Sequence, residues 1–330
     1  MKSIKYLPLA LFLSGCAMFR VDPCNTSESI SYITGVEDKI VCFLTVDSYD
    51  LNYKDKPLIE IYGKLSFPDE EKNLYNAIIL SHGSGGLRRY HKKYVDLLNE
   101  AGYVVFQLDH YMGRGIKYDK TFSKVSGITF MNDAYKALNI IKTHPKINKI
   151  GYIGWSQGGV GPILSHFDEI VNKVSKVKFD ATIAIYPYCG FTLNKDSATS
   201  TPLLMITGGS DDLTPEQACK NIYDKFSDEK NIIEHISIAG ARHGFDNPFL
   251  YFGITFDNLP SLNIINDECT LTINDDGSIA TITGRIVNGP SESERLLKEC
   301  STPGVHVKYS RHATETTNTA IINFLEKSFW

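Results

Sequence analysis

The stretch Ile150-Gly-Tyr-Ile-Gly154-Trp-Ser156-Gln-Gly158 decides how the rest of the chain is read. Its first half is a short apolar run, the kind expected of a strand buried on both faces. Its second half has the pattern G-x-S-x-G, in which a serine sits on a sharp, strained turn between a strand and a helix. The glycines follow from the geometry, because backbones must approach closely on either side of the serine. Such a turn lifts the hydroxyl above the sheet and points the backbone N–H of Gln157 to where an oxyanion would form. The pattern recurs by chance in long chains. It gains meaning from the sheet around it and from its partners further along.

The sheet is legible on both sides of the turn. Ala77–Leu80, Tyr103–Leu108, Ala181–Ile185 and Leu203–Thr207 are further short apolar runs, Ile236–Ile238 is a shorter one, and Ile59–Phe67 alternates like a half-buried strand. Helical patterns lie between them: Tyr94–Ala101 stops at Gly102, Phe130–Thr143 is closed by Pro145, and Pro215–Phe226 follows Thr214, read as its cap. Strands alternating with helices predict βαβ units and an α/β, doubly wound, mostly parallel sheet over about residues 58–250. The tail differs. Residues 270–283 read as a β-hairpin around Asp276-Gly277, within an insertion of about 253–310 that precedes a last helix, Thr316–Leu325. Upstream, residues 16–56 are polar and irregular, expected to be a tether with one strand around Ile40–Val46.

The chemical partners follow the elbow in order. Gly208-Gly-Ser-Asp211-Asp212-Leu-Thr-Pro215 comes after a strand, where an acid would hold an imidazole in its working tautomer; two aspartates compete for that place. Ala239-Gly-Ala-Arg-His243-Gly-Phe-Asp246 follows the next strand. Of the nine histidines, His243 alone completes the order Ser…Asp…His. His91, His144 and His166 sit on helices or their ends, where solvated or capping roles suffice, and His235, His306 and His312 have no supporting motif. The loop His82-Gly83-Ser84-Gly85-Gly86 lacks the Lys-Ser/Thr of a phosphate cradle. It fits the second half of an oxyanion hole, with Ser84 as the expected donor, Gly85 next, and His82 orienting the loop.

These four elements together resemble the dienelactone hydrolase family of α/β-hydrolases. The resemblance extends to Tyr111-Met-Gly-Arg114-Gly115, to Asp133-Ala-Tyr135 and to His243-Gly-Phe-Asp246, and covers about residues 58–250 and loosely the final helix. It implies the α/β-hydrolase fold over residues 57–330, with the C-terminal β-hairpin as an addition to it. It favours Asp211 as the triad acid, since Asp211 lies four residues before Pro215, and leaves Asp212 as a loop or capping carboxylate. It places the Arg114 loop beside the active site, where the guanidinium would grip a substrate carboxylate; a structural arginine is the competing reading. Trp155 would be either a pocket wall or core packing. The namesake enzymes use a cysteine nucleophile for a lactone, whereas Ser156 points to ordinary carboxylic esters through an acyl-enzyme, with no cofactor. An amide hydrolase of the same fold and a non-catalytic binding lipoprotein are the alternatives.

At the N-terminus, Lys2 and Lys5 precede the apolar run Leu7–Leu13, which is too short to span a bilayer. Leu13-Ser-Gly-Cys16 resembles the lipobox of bacterial lipoproteins. That implies a signal peptide of residues 1–15, lipidation at Cys16 and attachment to a membrane surface in the cell envelope. Ala17 after the cysteine favours the outer membrane, facing the periplasm. The remaining cysteines, Cys24, Cys42, Cys189, Cys219, Cys269 and Cys300, suit an exported, disulfide-bonded chain. Six cysteines allow fifteen connectivities, of which sequence proximity suggests 24–42, 189–219 and 269–300. No cysteine or histidine spacing suits zinc. With 330 residues, 42% of them apolar, the chain can bury a large core, and a net charge of −4 without charge blocks argues against a nucleic-acid partner.

Overall fold

The short apolar runs become strands because helices cover them from both sides. In the computed structural model, which describes residues 22–26, 29–53, 55–119, 121–193, 201–227, 233–256 and 264–329, the first half of the chain forms β1 (Lys39–Val46), β2 (Leu58–Ser66), β3 (Tyr75–Ser81), α1 (Lys92–Glu100), β4 (Val104–Asp109), α2 (Gly127–Ile141) and β5 (Ile147–Trp155). There follow α3 (Val160–Leu164), α4 (Asp168–Val174), β6 (Ala181–Ile185), β7 (Phe191–Leu193), β8 (Leu203–Gly208), α5 (Glu216–Phe226) and β9 (Ile233–Ile238). The expected signal peptide, residues 1–15, and Cys16 lie outside the described residues.

Eight strands make one sheet in the order β1-β2-β4-β3-β5-β6-β8-β9. From β4 to β9 neighbouring strands run parallel, and β1 and β2 add an antiparallel edge. Every residue of β4, β6 and β8 is buried, which is why those strands read as continuous apolar runs rather than alternations. One face packs on α2 to α5 through residues such as Met131, Leu138, Ile163 and Cys219, and the other on α1 and the last helix through Leu98, Ile321 and Phe324. Chain order reverses between β3 and β5, so their carboxyl ends flank the crevice where ligands of such sheets bind. The G-rich loop leaves β3 there, and the elbow leaves β5 there.

Elements begin where local chemistry satisfies their ends. Ser126 caps α2, its hydroxyl accepting from Thr129 N at 3.0 Å, so that helix starts three residues before the apolar face expected from Phe130. The stretch expected to serve as a tether is packed from Ile30 onward: Ile33 and Leu51 are buried in the main core, and Ile33 N donates to Thr143 Oγ1 at 3.0 Å. Disulfides join Cys24 to Cys42, Cys189 to Cys219 and Cys269 to Cys300, the pairings that sequence proximity suggests.

After β9 the chain adds β10 (Ile254–Thr255), β11 (Ile264–Ile265), β12 (Leu271–Ile273), β13 (Ile279–Thr281), α6 (Pro290–Cys300), β14 (Ser301–Thr302), β15 (His306–Val307) and α7 (Arg311–Ser328). The hairpin β12–β13 turns through Gly277 at φ +89°. It is not free-standing, because β12 also pairs in parallel with β7. Helix α6 was not anticipated. It carries Pro290 in its first turn and the i,i+4 pairs Glu294–Lys298 and Arg295–Glu299, and buries only Leu296 and Cys300. Helix α7 starts earlier than Thr316, with Ser310 as its cap. No helix of the described residues is long and apolar enough to cross a membrane.

Candidate active site

Ser156 directly follows β5 in the left-handed backbone region, at φ +53°, where a residue with a side chain is held only by its surroundings. Those surroundings are backbone. A Cβ on Gly154 would lie 2.1 Å from the Gly158 carbonyl oxygen, and one on Gly158 would lie 2.3 Å from the His82 carbonyl oxygen. The turn is therefore closed on both sides, and α3 follows it directly.

The elbow meets two loops. His243 Nε2 lies 2.9 Å from Ser156 Oγ, and His243 Nδ1 lies 2.8 Å from Asp211 Oδ2. A carboxylate at Nδ1 places the ring proton there and leaves Nε2 to accept from the serine hydroxyl. Asp211 is itself fixed: its Oδ1 accepts from Leu213 N and Thr214 N, both at 2.9 Å, and its Oδ2 accepts from Thr214 Oγ1 at 3.0 Å. Its neighbour Asp212 turns outward to pair with Arg242 at 2.8 Å. Of the two competing aspartates, Asp211 is the one brought to the imidazole.

Thr214 has a different place from the helix cap that the sequence suggests. Helix α5 begins at Glu216, and the Thr214 hydroxyl bridges Asp211 Oδ2, the Tyr186 carbonyl oxygen at 3.1 Å and His243 Nδ1 at 3.1 Å. Behind the imidazole, the Tyr186 ring packs edge-on at 4.8 Å. The buried Asp246 carboxylate accepts from Tyr186 OH at 2.7 Å and from Tyr94 OH at 2.6 Å. Burial, and then the Asp246 charge, push both phenols well above their ordinary range, so each remains a donor. Sequence reasoning missed Tyr186. It follows a strand without a motif, and the His243 ring and Asp246 carboxylate it meets lie 57 and 60 residues further along the chain.

Around the prospective oxyanion, the Gln157 side chain is tied away, its Oε1 accepting from Tyr111 OH at 3.1 Å, so its backbone N–H is the group the elbow offers. From β3, the loop comes over the nucleophile at Gly83, where a Cβ would lie 3.1 Å from Ser156 Cβ; Ser84 follows, its carbonyl accepting from Asp119 N at 2.8 Å. Gly85, the second choice, has Arg88 as its neighbour, with Nε 3.8 Å from where a Cβ would stand. His82 fixes the loop, bonding through Nδ1 to the Gly83 carbonyl at 2.7 Å and accepting at Nε2 from His110 N at 3.2 Å.

For Arg114 and Trp155 the structure selects one of the two readings left open. Arg114 does not reach toward a substrate. Its guanidinium donates to Asp133 Oδ2 at 2.8 Å, Asp133 Oδ1 at 3.1 Å, Asp47 Oδ1 at 2.9 Å and the His110 carbonyl at 2.7 Å, which leaves it no fork for a ligand. Burial alone would raise Asp133, but Arg114 and then His110 hold its carboxyl below the usual range. Trp155 is core rather than pocket wall, its ring lying 4.7 Å from Tyr94 and 5.6 Å from His91. His91, His144 and His166 are buried rather than solvated, and burial pushes His91 down to about 3.

An apolar cavity of about 120 Å³ opens at Ser156 and Gln157. It is bounded on one side by Val160 and Leu164 of α3 and on the other by residues of the C-terminal insertion.

Residues 62–250 match the model of the dienelactone hydrolase family. No curated protein sequence matches the chain. Among solved structures, a dienelactone hydrolase-like promiscuous phosphotriesterase from metagenomic libraries superposes with a TM-score of 0.53 at 14% identity, over 87% of this chain and 98% of that one. A protein called m3DLH gives a TM-score of 0.53 at 13% identity, over 89% of this chain and 99% of that one. At those identities the likeness is one of fold.

Proposed function

Because the chain belongs to the dienelactone hydrolase family, we propose that it is a serine hydrolase of small-molecule carboxylic esters, working through Ser156, His243 and Asp211. The observation that carries this reading is the continuous pair of hydrogen bonds from Ser156 Oγ through the His243 ring to Asp211, at 2.9 and 2.8 Å. Ser156 Oγ attacks the acyl carbon while His243 Nε2 takes the hydroxyl proton. The tetrahedral oxyanion is held by backbone N–H groups of Gln157 and of the Ser84 loop. Collapse of that intermediate breaks the bond to the alcohol oxygen, which leaves with the proton from Nε2. Water then takes the alcohol's place, gives a proton to His243 and releases the acid, restoring Ser156. Asp211 stays ionised throughout and stabilises the imidazolium. No cofactor enters the cycle.

We also propose that the enzyme works outside the cytoplasm, lipidated at Cys16 and held on the outer membrane facing the periplasm. Three disulfides support an oxidising compartment. The test of the chemistry is labelling of oxidised protein by a fluorophosphonate, followed by peptide mass spectrometry. Label on Ser156 that is lost in His243→Ala is expected; no label on folded protein would leave a binding lipoprotein instead. Loss of membrane association in Cys16→Ala tests the anchor.

A further inference from the structure

We infer that the C-terminal insertion forms the acyl-binding half of the active site, making the enzyme selective for esters of apolar acids with a group of about six carbons beyond the carbonyl. The inference rests on the ester-hydrolase reading. The cavity of about 120 Å³ has Ser156 and Gln157 at its reactive end. Val160 and Leu164 wall it from the hydrolase side, and Leu271, Ile273, Ile279 and Leu296 from the insertion. No charged side chain lines it. An ionised acyl group would lose its water there with no opposite charge to replace it, whereas an apolar one gains by burial against a mostly aliphatic and aromatic wall. An engineered apolar cavity of about 150 Å³ holds a benzene ring, which sets the size of the group.

The orientation follows from the proton. The leaving alcohol must lie against His243 Nε2, which protonates it, and the attacking water must later stand in the same place. The His243 ring is not part of the cavity wall, whose reactive end is Ser156 and Gln157. The cavity therefore receives the part of the substrate that stays on Ser156, the acyl chain, while the alcohol departs on the imidazole side.

The insertion wall lies beyond residue 250, where the match to the family model ends. It is fixed in three ways: by the disulfide Cys269–Cys300, by pairing of β12 with β7, and by Tyr188 OH donating to the Cys269 carbonyl at 2.7 Å. It is built to keep a shape.

The test is kcat/KM of the oxidised protein on p-nitrophenyl esters from acetate to dodecanoate, with the leaving group constant, and on acetates of different alcohols. Each buried methylene is worth about fourfold, so the profile should rise on the order of 10²-fold from acetate to hexanoate and fall beyond about octanoate. Varying the alcohol should change little. Leu296→Trp, which fills the cavity, should lower the hexanoate-to-acetate ratio at least tenfold, and Leu296→Ala should move the maximum to longer chains. Ile279→Phe is the second filling variant should Leu296→Trp fail to fold. A flat acyl profile, a profile governed by the alcohol, or an unchanged ratio in the filling variants would overturn the assignment while leaving ester hydrolysis standing. No turnover of any ester and no fluorophosphonate label would overturn the hydrolase reading, and this inference with it.

Discussion

Replacing Arg114 by methionine tests whether this residue holds the fold or the substrate. Methionine keeps most of the packed stem but removes two donors from Asp133, one from Asp47 and one from the His110 carbonyl. Asp133, fully buried, would retain His110 Nδ1 at 2.8 Å as its remaining partner in this cluster. Removing one member of a buried pair leaves an uncompensated charge and costs about 3–5 kcal/mol. Against a total stability of about 5–15 kcal/mol, that is a large fraction. With a urea slope of about 3 kcal/mol/M, the unfolding midpoint should fall by roughly 1–1.7 M. Equilibrium unfolding with the disulfides intact measures this. The double variant Arg114→Met/Asp133→Asn removes the stranded charge and leaves an oxygen for His110, so it should recover most of the loss. A loss under about 1 kcal/mol, or a double variant no better than the single, refutes the account. A raised KM confined to esters bearing a carboxylate, with stability unchanged, would return Arg114 to the substrate.

Asp211→Asn should lower kcat/KM on the order of 10⁴-fold by stabilising the wrong imidazole tautomer, whereas Asp212→Asn should stay within about twofold; equal losses would reverse the assignment. Gly158→Ala puts a Cβ 2.3 Å from the His82 carbonyl oxygen, so soluble yield and fluorophosphonate labelling should both collapse; a stable, fully labelled variant would show that the elbow can open. Acid should weaken the fold early. His91 is pushed down to about 3 by burial and then by His82, so the unfolded chain binds a proton below about pH 6.5 that the native state refuses. That contribution is whole above about pH 6.5 and is lost toward pH 3, at up to about 1.4 kcal/mol per pH unit. Burial shifts His110 and His166 the same way. Urea midpoints between pH 7.5 and 5 should trace this slope and become shallower in His91→Phe; an unchanged slope in that variant counts against it.

What was legible in the sequence was what depends on neighbours in the chain. Ser156 announces itself because its turn demands glycines two residues away on each side. The central strands stand out because both their faces are buried. Strand β9 showed only its second half, since Glu234 and His235 are half-exposed and break the apolar run. Arg114 was left between two readings because its partner Asp133 lies 19 residues along, in the middle of α2, and only the fold brings them together. Thr214 looked like a cap because a threonine before a proline commonly is one, and the pull of Asp211 on its hydroxyl is invisible in one dimension. Helix α6 was hidden by its composition, with few buried side chains among many charges.

The direct side-chain partners of the reacting groups come from residues before 250, whereas much of the cavity wall is supplied by residues after 264. His243 is braced by Tyr186, Asp246 and Tyr94, and none of these depends on the hairpin or on α6. If the insertion sets the acyl selectivity as proposed, selectivity and reactivity rest on different segments, so a lineage can rewrite the residues over the cavity without retuning the bond-breaking step. Catalysis then becomes a fixed cost in evolution, and the choice of substrate the variable. The same seam marks where a protein engineer would graft a different cover onto an unchanged triad.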